Sequence, residues 1–175
     1  MLHSLGAGVR AAFLSQRARR QRFAWPVTLT TPAVASRGLA GGAEMVVLRA
    51  IRRTDAQAWY ALRLADAARL SPWEATLPAG SRETLRSFST YAHEQNRLAH
   101  RGMAMPFIVE VDGALAGQVT AAPIHWDALS SASVGYWIGS RWEGRGVMAL
   151  SVAMVLDHLL GPEVGLHRVE INVRP

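Results

Sequence analysis

Three consecutive segments decide the fold of this chain: Val134-Gly-Tyr-Trp-Ile138, then Gly139-Ser-Arg-Trp-Glu-Gly-Arg-Gly146, then the apolar run from Val147 to Leu160. The first alternates its residues with the period of a strand, and the third repeats apolar residues near the spacing of one helix face. The glycine-rich turn between them therefore leads into a helix N-terminus, where the first backbone N–H groups have no partner within the helix. This arrangement predicts an anion-binding site at the turn.

The rest of the chain predicts a mixed α/β domain around these segments. Asp112-Gly113 is a two-residue hairpin signal between two apolar runs, and the strand after the long helix is expected to run parallel to the strand at 134–138. The predicted elements are a strand at Met45–Arg49, a helix from Thr54 or Asp55 to about Ala68, a second helix capped by Ser81, hairpin strands at 107–111 and 115–122, and a last strand at 166–173.

Composition limits the classes of protein that need to be considered. The 175 residues are 50% hydrophobic, enough for one core of ordinary size, and they contain no cysteine. Disulfide frameworks, thiolate zinc sites and a cysteine nucleophile are therefore excluded. No window reaches the roughly 20 apolar residues that span a bilayer, so we expect a soluble, cytoplasmic protein without membrane contact. The sequence does not predict an oligomeric state.

The net charge of +6 is the difference between 19 basic residues, all of them arginine, and 13 acidic residues. Such a balance suits a nucleic acid, an acidic protein or a polyphosphate cofactor, although arginines on a solvated face are the more common case. Aromatic and basic residues do not interleave along one predicted groove. A nucleic-acid partner is therefore not expected.

Residues 1–44 differ from the rest, because they are rich in arginine and contain no acidic residue before Glu44. Their composition resembles a transit peptide but lacks the apolar segment of a secretion signal. We predict a basic, poorly ordered N-terminal extension over 1–44 and a domain over 45–175. A start at Met45 is the alternative, and the segment from Phe23 to Leu29 is expected to dock on the domain edge.

The order of these elements resembles the GNAT acyltransferase fold, and within it the RimJ/RimL branch of ribosomal-protein N-terminal acetyltransferases. The resemblance covers about residues 45–175. It rests on Leu48-Arg49, Thr54-Asp55-Ala56, Pro72-Trp73-Glu74, Pro106-Phe107, Gly117-Gln118-Val119, Val134 to Ile138, Gly144-Arg145-Gly146 and Leu166 to Pro175. It implies a central mixed, twisted sheet flanked by helices. Relative to that fold, a last helix and a β-hairpin are missing, so the chain is expected to be a fragment truncated at its C-terminus.

The resemblance also implies acetyl-CoA as acetyl donor. The backbone of Tyr136, Trp137 and Ile138 would pair with the pantetheine amides, and the pyrophosphate would bind at the turn, with Gly135 marking a bulge that opens the sheet. Two registers of the family signature are possible, one from Arg141 to Gly146 and one from Glu143 to Met148. The second keeps the family's distance from the strand and is preferred. The predicted cofactor-binding residues of the turn are Gly144, Arg145, Gly146, Val147 and Met148.

Transfer of an acetyl group to an amine requires a proton acceptor and a proton donor. Glu170 is the predicted general base, with an exposed strand glutamate as the alternative, and Tyr136 is the predicted proton donor unless it is a core residue. Trp73 and Glu74 are assigned to the substrate side. The histidines at 125, 158 and 167 lack metal-ligand spacing, so no metal is expected.

The predicted reaction is acetyl transfer from acetyl-CoA to a primary amine, most simply the α-amino group of a protein, and a ribosomal protein is the partner that the resemblance implies. Two alternatives stay open. One is acetylation of a small amine of the aminoglycoside type. The other is a noncatalytic module that binds CoA, because the missing elements would otherwise close the acyl site.

Overall fold

Six strands form one sheet, in the order in which they occur along the chain. The computed structural model describes residues 24–32, 44–73, 87–126 and 128–172. Neighbouring strands are antiparallel except for the last pair, which is parallel, so the predicted mixed sheet is confirmed. The strands are β1 (Leu29–Pro32), β2 (Met45–Ala50), β3 (Met105–Val111), β4 (Ala114–His125), β5 (Ser131–Ile138) and β6 (Arg168–Glu170).

Helices flank both faces of this sheet. The described helices are α1 (Ala56–Ala65), α2 (Ala67–Leu70), α3 (Phe88–His100) and α4 (Val147–Leu160), with short 3₁₀ turns at Arg53–Asp55, Ser71–Trp73 and Ser140–Trp142. The helix predicted to end near Ala68 is thus divided in two. None of these helices is long and apolar enough to cross a membrane.

The helix caps differ from the prediction. Asp55 occupies the N-cap position of α1, but its carboxylate makes no hydrogen bond to the start of that helix. It accepts two hydrogen bonds from the buried Arg49 guanidinium, at 2.9 and 2.8 Å, because a buried cation needs a partner. Ser81 lies outside the described residues, and α3 begins after Ser87, whose hydroxyl accepts a hydrogen bond from the N–H of Thr90 at 3.2 Å.

The hairpin between β3 and β4 forms at the predicted turn. Asp112 and Gly113 have φ of 50° and 81°, the left-handed backbone that such a turn requires. The predicted bulge is in a different strand. Gly135 pairs regularly with Thr120, whereas the register shift lies in β4 between Ala121 and Ile124. The interpretation of Gly135 as a bulge is therefore wrong.

Two apolar clusters lie on opposite faces of the sheet. The larger one joins the strands to α4 through residues such as Phe107, Val119 and Val155, which are fully buried. The smaller one joins β3 to α1 and α3 around Ile108 and Phe88. The sheet therefore lies between two layers of helices, and strand β5 lies between these layers.

The described part of the N-terminal segment lies on the sheet. Strand β1 pairs with β2, and the Trp25 ring packs edge-on against Phe107 with centroids 5.3 Å apart. The indole N–H of Trp25 also donates to the Asn96 side chain at 2.9 Å. The predicted domain limit at residue 45 stays a prediction, because residues 1–23 and 33–43 lie outside the described part.

Candidate functional site

A gap opens at the β5 edge of the sheet. Strand β6 pairs with β5 only at three positions, from Ser131 opposite Arg168 to Ser133 opposite Glu170. Strand β5 then continues through Ile138 without β6 beside it, so its backbone edge from Val134 onward faces a cavity of about 1030 Å³. The residues lining this donor cleft are Arg63, Arg69, Leu70, Trp73, Val134, Gly135, Tyr136, Trp137, Ile138, Trp142, Glu143, Gly144, Gly146, Met148, Ala149 and Asn172.

The start of α4 forms another wall of the donor cleft. Gly146 is the N-cap of α4, has a φ of 74° and provides no side-chain cap. The first hydrogen bond of this helix runs from the N–H of Leu150 to the carbonyl of Gly146, at 2.9 Å. The N–H groups of residues 147–149 therefore have no acceptor within the helix, and an anion fits this position. Gly144 also has a positive φ, of 68°.

Two side chains from the opposite helical layer hold this turn in place. The buried carboxylate of Asp66 accepts a hydrogen bond from the N–H of Ser140 at 2.6 Å. Arg69 donates to Asp66 at 2.8 Å and to the carbonyl of Ile138 at 2.5 Å. Hydrogen bonds from Ser140, aided by Arg69 and opposed by burial, lower the pKa of Asp66 below its ordinary value. This brace fixes the end of β5 and the beginning of the turn.

A second, smaller cavity of about 340 Å³ adjoins the donor cleft. We call it the aromatic pocket; its lining residues are Trp59, Arg63, Tyr91, Gln118, Thr120, Gly135, Tyr136 and Trp137. Four of these, Arg63 and residues 135–137, also line the donor cleft. The two cavities therefore meet at the middle of β5.

Gln118 organises the wall of the aromatic pocket. It is only 5% exposed, and its carbonyl oxygen accepts a hydrogen bond from the indole N–H of Trp59 at 3.0 Å. Its amide N–H₂ donates to the hydroxyls of Tyr91, at 2.8 Å, and Thr120, at 3.0 Å. The Arg63 guanidinium lies 4.7 Å from the Trp59 ring centroid and 5.3 Å from that of Trp137, within cation–π range. The pocket is thus shaped by fixed side chains.

Comparison with known proteins identifies the family. The model of the acetyltransferase (GNAT) domain matches residues 45–175. The chain belongs to the GNAT family. Mycobacterium smegmatis RimJ, solved in complex with CoA-disulfide, is 36% identical to it with a TM-score of 0.71, over 86% of this chain and 69% of that one.

Two further comparisons give weaker support for the assignment. A "probable N-acetyltransferase" of Bacillus subtilis strain 168, YjcK, is 36% identical over 64 residues, which are 37% of this chain and 35% of that protein. The matched segment thus spans about a third of this curated relative. An apo RimL described as a ribosomal L7/L12 α-N-protein acetyltransferase is 20% identical with a TM-score of 0.56, over 69% of this chain and 62% of that one, which supports the GNAT fold alone.

The structure brings most of the residues predicted for the GNAT donor site together. Tyr136, Trp137, Ile138, Gly144, Gly146 and Met148 all line the donor cleft. Trp73, which was predicted for the substrate side, also lines this cleft and not the aromatic pocket. Arg145 is not among the lining residues, and its guanidinium lies 5.6 Å from the Trp142 ring centroid. The Val147 side chain is fully buried in the larger apolar cluster, so only its backbone is available to a ligand. Gly144 and Gly146 both have a positive φ, which favours glycine at these positions in either register of the GNAT signature.

The residues predicted for catalysis and substrate binding lie in different parts of the structure. Tyr136 is 45% exposed and lines both cavities, so it is not a core residue. Glu170 lines neither cavity; its carboxylate pairs with Arg168 at 2.9 Å. Glu74 lies outside the described residues. Within the described part of the chain, no group of three histidines or carboxylates is placed to hold a metal ion.

Sequence reasoning missed the brace and the walls of the aromatic pocket. Asp66 lies between α1 and α2, and Arg69 lies three residues later in α2. This spacing brings the two side chains together but does not say what they face. Gln118 gave a clearer signal, because it is a polar residue inside an otherwise apolar strand. Trp59 and Tyr91 lie in α1 and α3, and an aromatic residue at helical spacing does not indicate a cavity.

Proposed function

We propose that this chain transfers an acetyl group from acetyl-CoA to a primary amine, and that the amine is the α-amino group of a protein. The observation that carries the proposal is the donor cleft, in which an unpaired strand edge and an uncapped helix N-terminus face the same space. A chain of amides ending in a pyrophosphate has the chemistry to use both. The 36% identical RimJ, solved with CoA-disulfide, supports the same ligand class.

The donor cleft fits acetyl-CoA on observations of this structure. The edge of β5 from Val134 to Ile138 offers backbone donors and acceptors to amides, because β6 does not cover it. The N–H groups at the start of α4 suit an anion. In this position the backbone of Tyr136, Trp137 and Ile138 would hold the pantetheine arm, and residues 144–148 the pyrophosphate.

Acetyl-CoA supplies a thioester carbonyl carbon. The amine nitrogen forms a bond to this carbon, the C–S bond breaks, one proton leaves the nitrogen and one is taken up by the sulfur. Tyr136 is the proposed donor of the proton to sulfur, because its side chain lies where the two cavities meet. Glu170 is the proposed proton acceptor. It is in register with Ser133, which places it on the face of β5 that carries Gly135 and Trp137.

Charge favours an uncharged acceptor end over a polycation. The charged side chain among the described residues that line the aromatic pocket is a cation, Arg63, and the remaining lining is aromatic or neutral. These described lining residues therefore offer no negative charge to complement a multiply charged aminoglycoside. A protein N-terminus, acetylated as the free amine, meets neutral hydrogen-bonding groups instead. A ribosomal protein is the proposed source of that N-terminus.

The test measures CoA release from acetyl-CoA with short peptides, aminoglycosides and polyamines as acceptors. Because the chain contains no cysteine, a thiol reagent reports the released CoA without background from the protein. We expect release with peptides, and stabilisation against heat by about 2.7 kcal/mol when acetyl-CoA is at 100 times its Kd. Stabilisation without release from any amine would instead support a noncatalytic CoA-binding module. Absence of both would refute the proposal.

A further inference from the structure

Gly135 is a glycine that the fold itself does not require. It lies inside β5, pairs regularly with Thr120, and is not among the glycines with positive φ. A Cβ built on it meets no atom within 4 Å. Glycine inside a strand destabilises it relative to residues with side chains. A larger residue would therefore fit the backbone and the packing at this position, and would strengthen the strand.

Other glycines of the site have structural reasons. A Cβ on Gly117 would come within 2.3 Å of the Trp137 carbonyl oxygen, so β4 and β5 could not pair as closely. Gly146 has a φ of 74°, which side chains rarely adopt. Gly135 has neither reason. The explanation for its missing side chain must lie in the space that this absence creates.

That space is the junction of the two cavities. Gly135 lines both the donor cleft and the aromatic pocket. Its neighbours on the same face of the sheet are Trp137, two residues along the strand, and Thr120, across the β4 pairing. Both of them line the aromatic pocket. A side chain at 135 would project between these two residues, into the pocket.

We propose that Gly135 is the passage between the two cavities, and that it selects for acceptor amines on a slender end. This inference rests on the proposed function. The amine enters through the aromatic pocket, whose walls are Trp59, Tyr91 and Trp137, and reaches the acetyl group in the donor cleft over the open position at 135. A peptide that begins with Gly, Ala or Ser fits such a passage, whereas a bulky first residue does not.

The experiment compares Gly135→Ala and Gly135→Val with the wild-type chain. The matched control is Ala114→Val, because Ala114 is an exposed residue at the start of β4 that lines neither cavity and does not adjoin Glu170 in the sheet. We measure three quantities: the Kd of CoA by calorimetry, the Tm, and kcat/KM for peptides that begin with Gly, Ala, Ser or Leu.

We expect both Gly135 variants to bind CoA with unchanged Kd and to melt at the same or a higher temperature. Their kcat/KM should fall by about tenfold for Gly135→Ala and about a hundredfold for Gly135→Val, since displacement of the amine by about 1 Å is enough for a loss of that size. The loss should be greater for larger first residues. Ala114→Val should keep the wild-type kcat/KM.

Three outcomes would overturn the inference while leaving the proposed function in place. These are wild-type kcat/KM in Gly135→Val, an equal loss in Ala114→Val, and a loss of CoA affinity in proportion to the loss of rate, which would assign Gly135 to the donor cleft alone. A wild-type chain that binds CoA and acetylates no amine would overturn the proposed function, and the inference with it.

Discussion

The two cavities that meet at β5 are built from different parts of the chain. The donor cleft is wide and is formed largely by a strand edge, a glycine turn and a helix N-terminus, whose groups are backbone amides. The aromatic pocket is a third of that volume and is walled by side chains from α1, α3, β4 and β5. A ligand held by backbone is insensitive to most substitutions, whereas a ligand held by side chains is not. Substitutions should therefore separate donor binding from acceptor binding.

The largest effect is expected at Gly117, because both cavities depend on the close pairing of β4 with β5 at this residue. Gly117→Val places atoms against the Trp137 carbonyl, which a Cβ alone would approach to 2.3 Å. Because backbone cannot yield as a side chain does, we expect a loss of about 3 kcal/mol or more in the free energy of unfolding, and loss of both ligands. Urea unfolding and calorimetry measure this. Gly135→Val, with the same added atoms in open space, is the control, and equal stability of the two variants would contradict the geometry.

Removal of the Asp66 carboxylate from the brace should weaken CoA binding in the donor cleft and leave peptide binding unchanged. Asp66→Ala leaves the N–H of Ser140 and the Arg69 guanidinium without their carboxylate. We expect a cost of about 2–3 kcal/mol, below that of a fully buried pair because the Arg69 side chain is 35% exposed. The Kd of CoA should rise, and the KM of the peptide at saturating acetyl-CoA should stay constant. Asp112→Ala is the control, since it removes a carboxylate that accepts hydrogen bonds from the N–H groups of Glu44 and Met45 in the distant hairpin turn; it should leave the Kd of CoA unchanged.

The aromatic pocket should respond in the opposite way. Gln118→Leu deprives the indole N–H of Trp59 of its acceptor and the Tyr91 hydroxyl of its donor, at a cost of about 1–2 kcal/mol. The KM of the peptide should rise severalfold while the Kd of CoA stays constant. Tyr91→Phe removes one of these hydrogen bonds and should have a smaller effect. A change in CoA affinity without a change in peptide KM would reverse the assignment of the two cavities.

The glycine at the start of α4 gives a smaller effect that is confined to donor binding. Gly146→Ala forces a side chain onto a backbone with φ of 74°, which costs about 1–2 kcal/mol. Gly113→Ala carries a similar backbone cost at φ of 81° in the distant hairpin turn. We expect both variants to lower the Tm, and only Gly146→Ala to weaken CoA binding. Equal CoA affinity in the two variants would show that the turn does not hold the pyrophosphate.

The smallest effect is a dependence of the brace on pH. The pKa of Asp66 in the folded chain is below its ordinary value because of Ser140 and Arg69. A lowered pKa in the folded state means that the ionised carboxylate stabilises the fold. This contribution is complete above the unfolded pKa of about 3.9 and is lost as the pH falls through the folded pKa. The stability difference between wild type and Asp66→Asn should therefore be constant from pH 7 to 5 and shrink below about pH 4.

Much of the fold could be predicted from local pattern. The hairpin at Asp112-Gly113, the helix from Val147 to Leu160 and the parallel direction of the last strand are confirmed, because each depends on turn chemistry or on periodicity within a few residues. The last strand itself is shorter than the predicted 166–173 and spans Arg168–Glu170. The cap of α1 was less predictable. Asp55 is an ordinary capping residue by type, and only the neighbouring buried Arg49 makes it an ion-pair partner instead.

The sequence by itself determined the family, the strand, turn and helix that form one side of the donor cleft, and the residues that line it from β5 and α4. These follow from residues adjacent in the chain. The tertiary structure alone decided that Asp66 and Arg69 hold the turn, that Trp59, Tyr91 and Gln118 enclose a second cavity, and that Gly135 lies between the two. These contacts join residues up to 74 positions apart, as Asp66 and Ser140 are, and their geometry is set by packing of helices on the sheet, for which no local pattern carries the information.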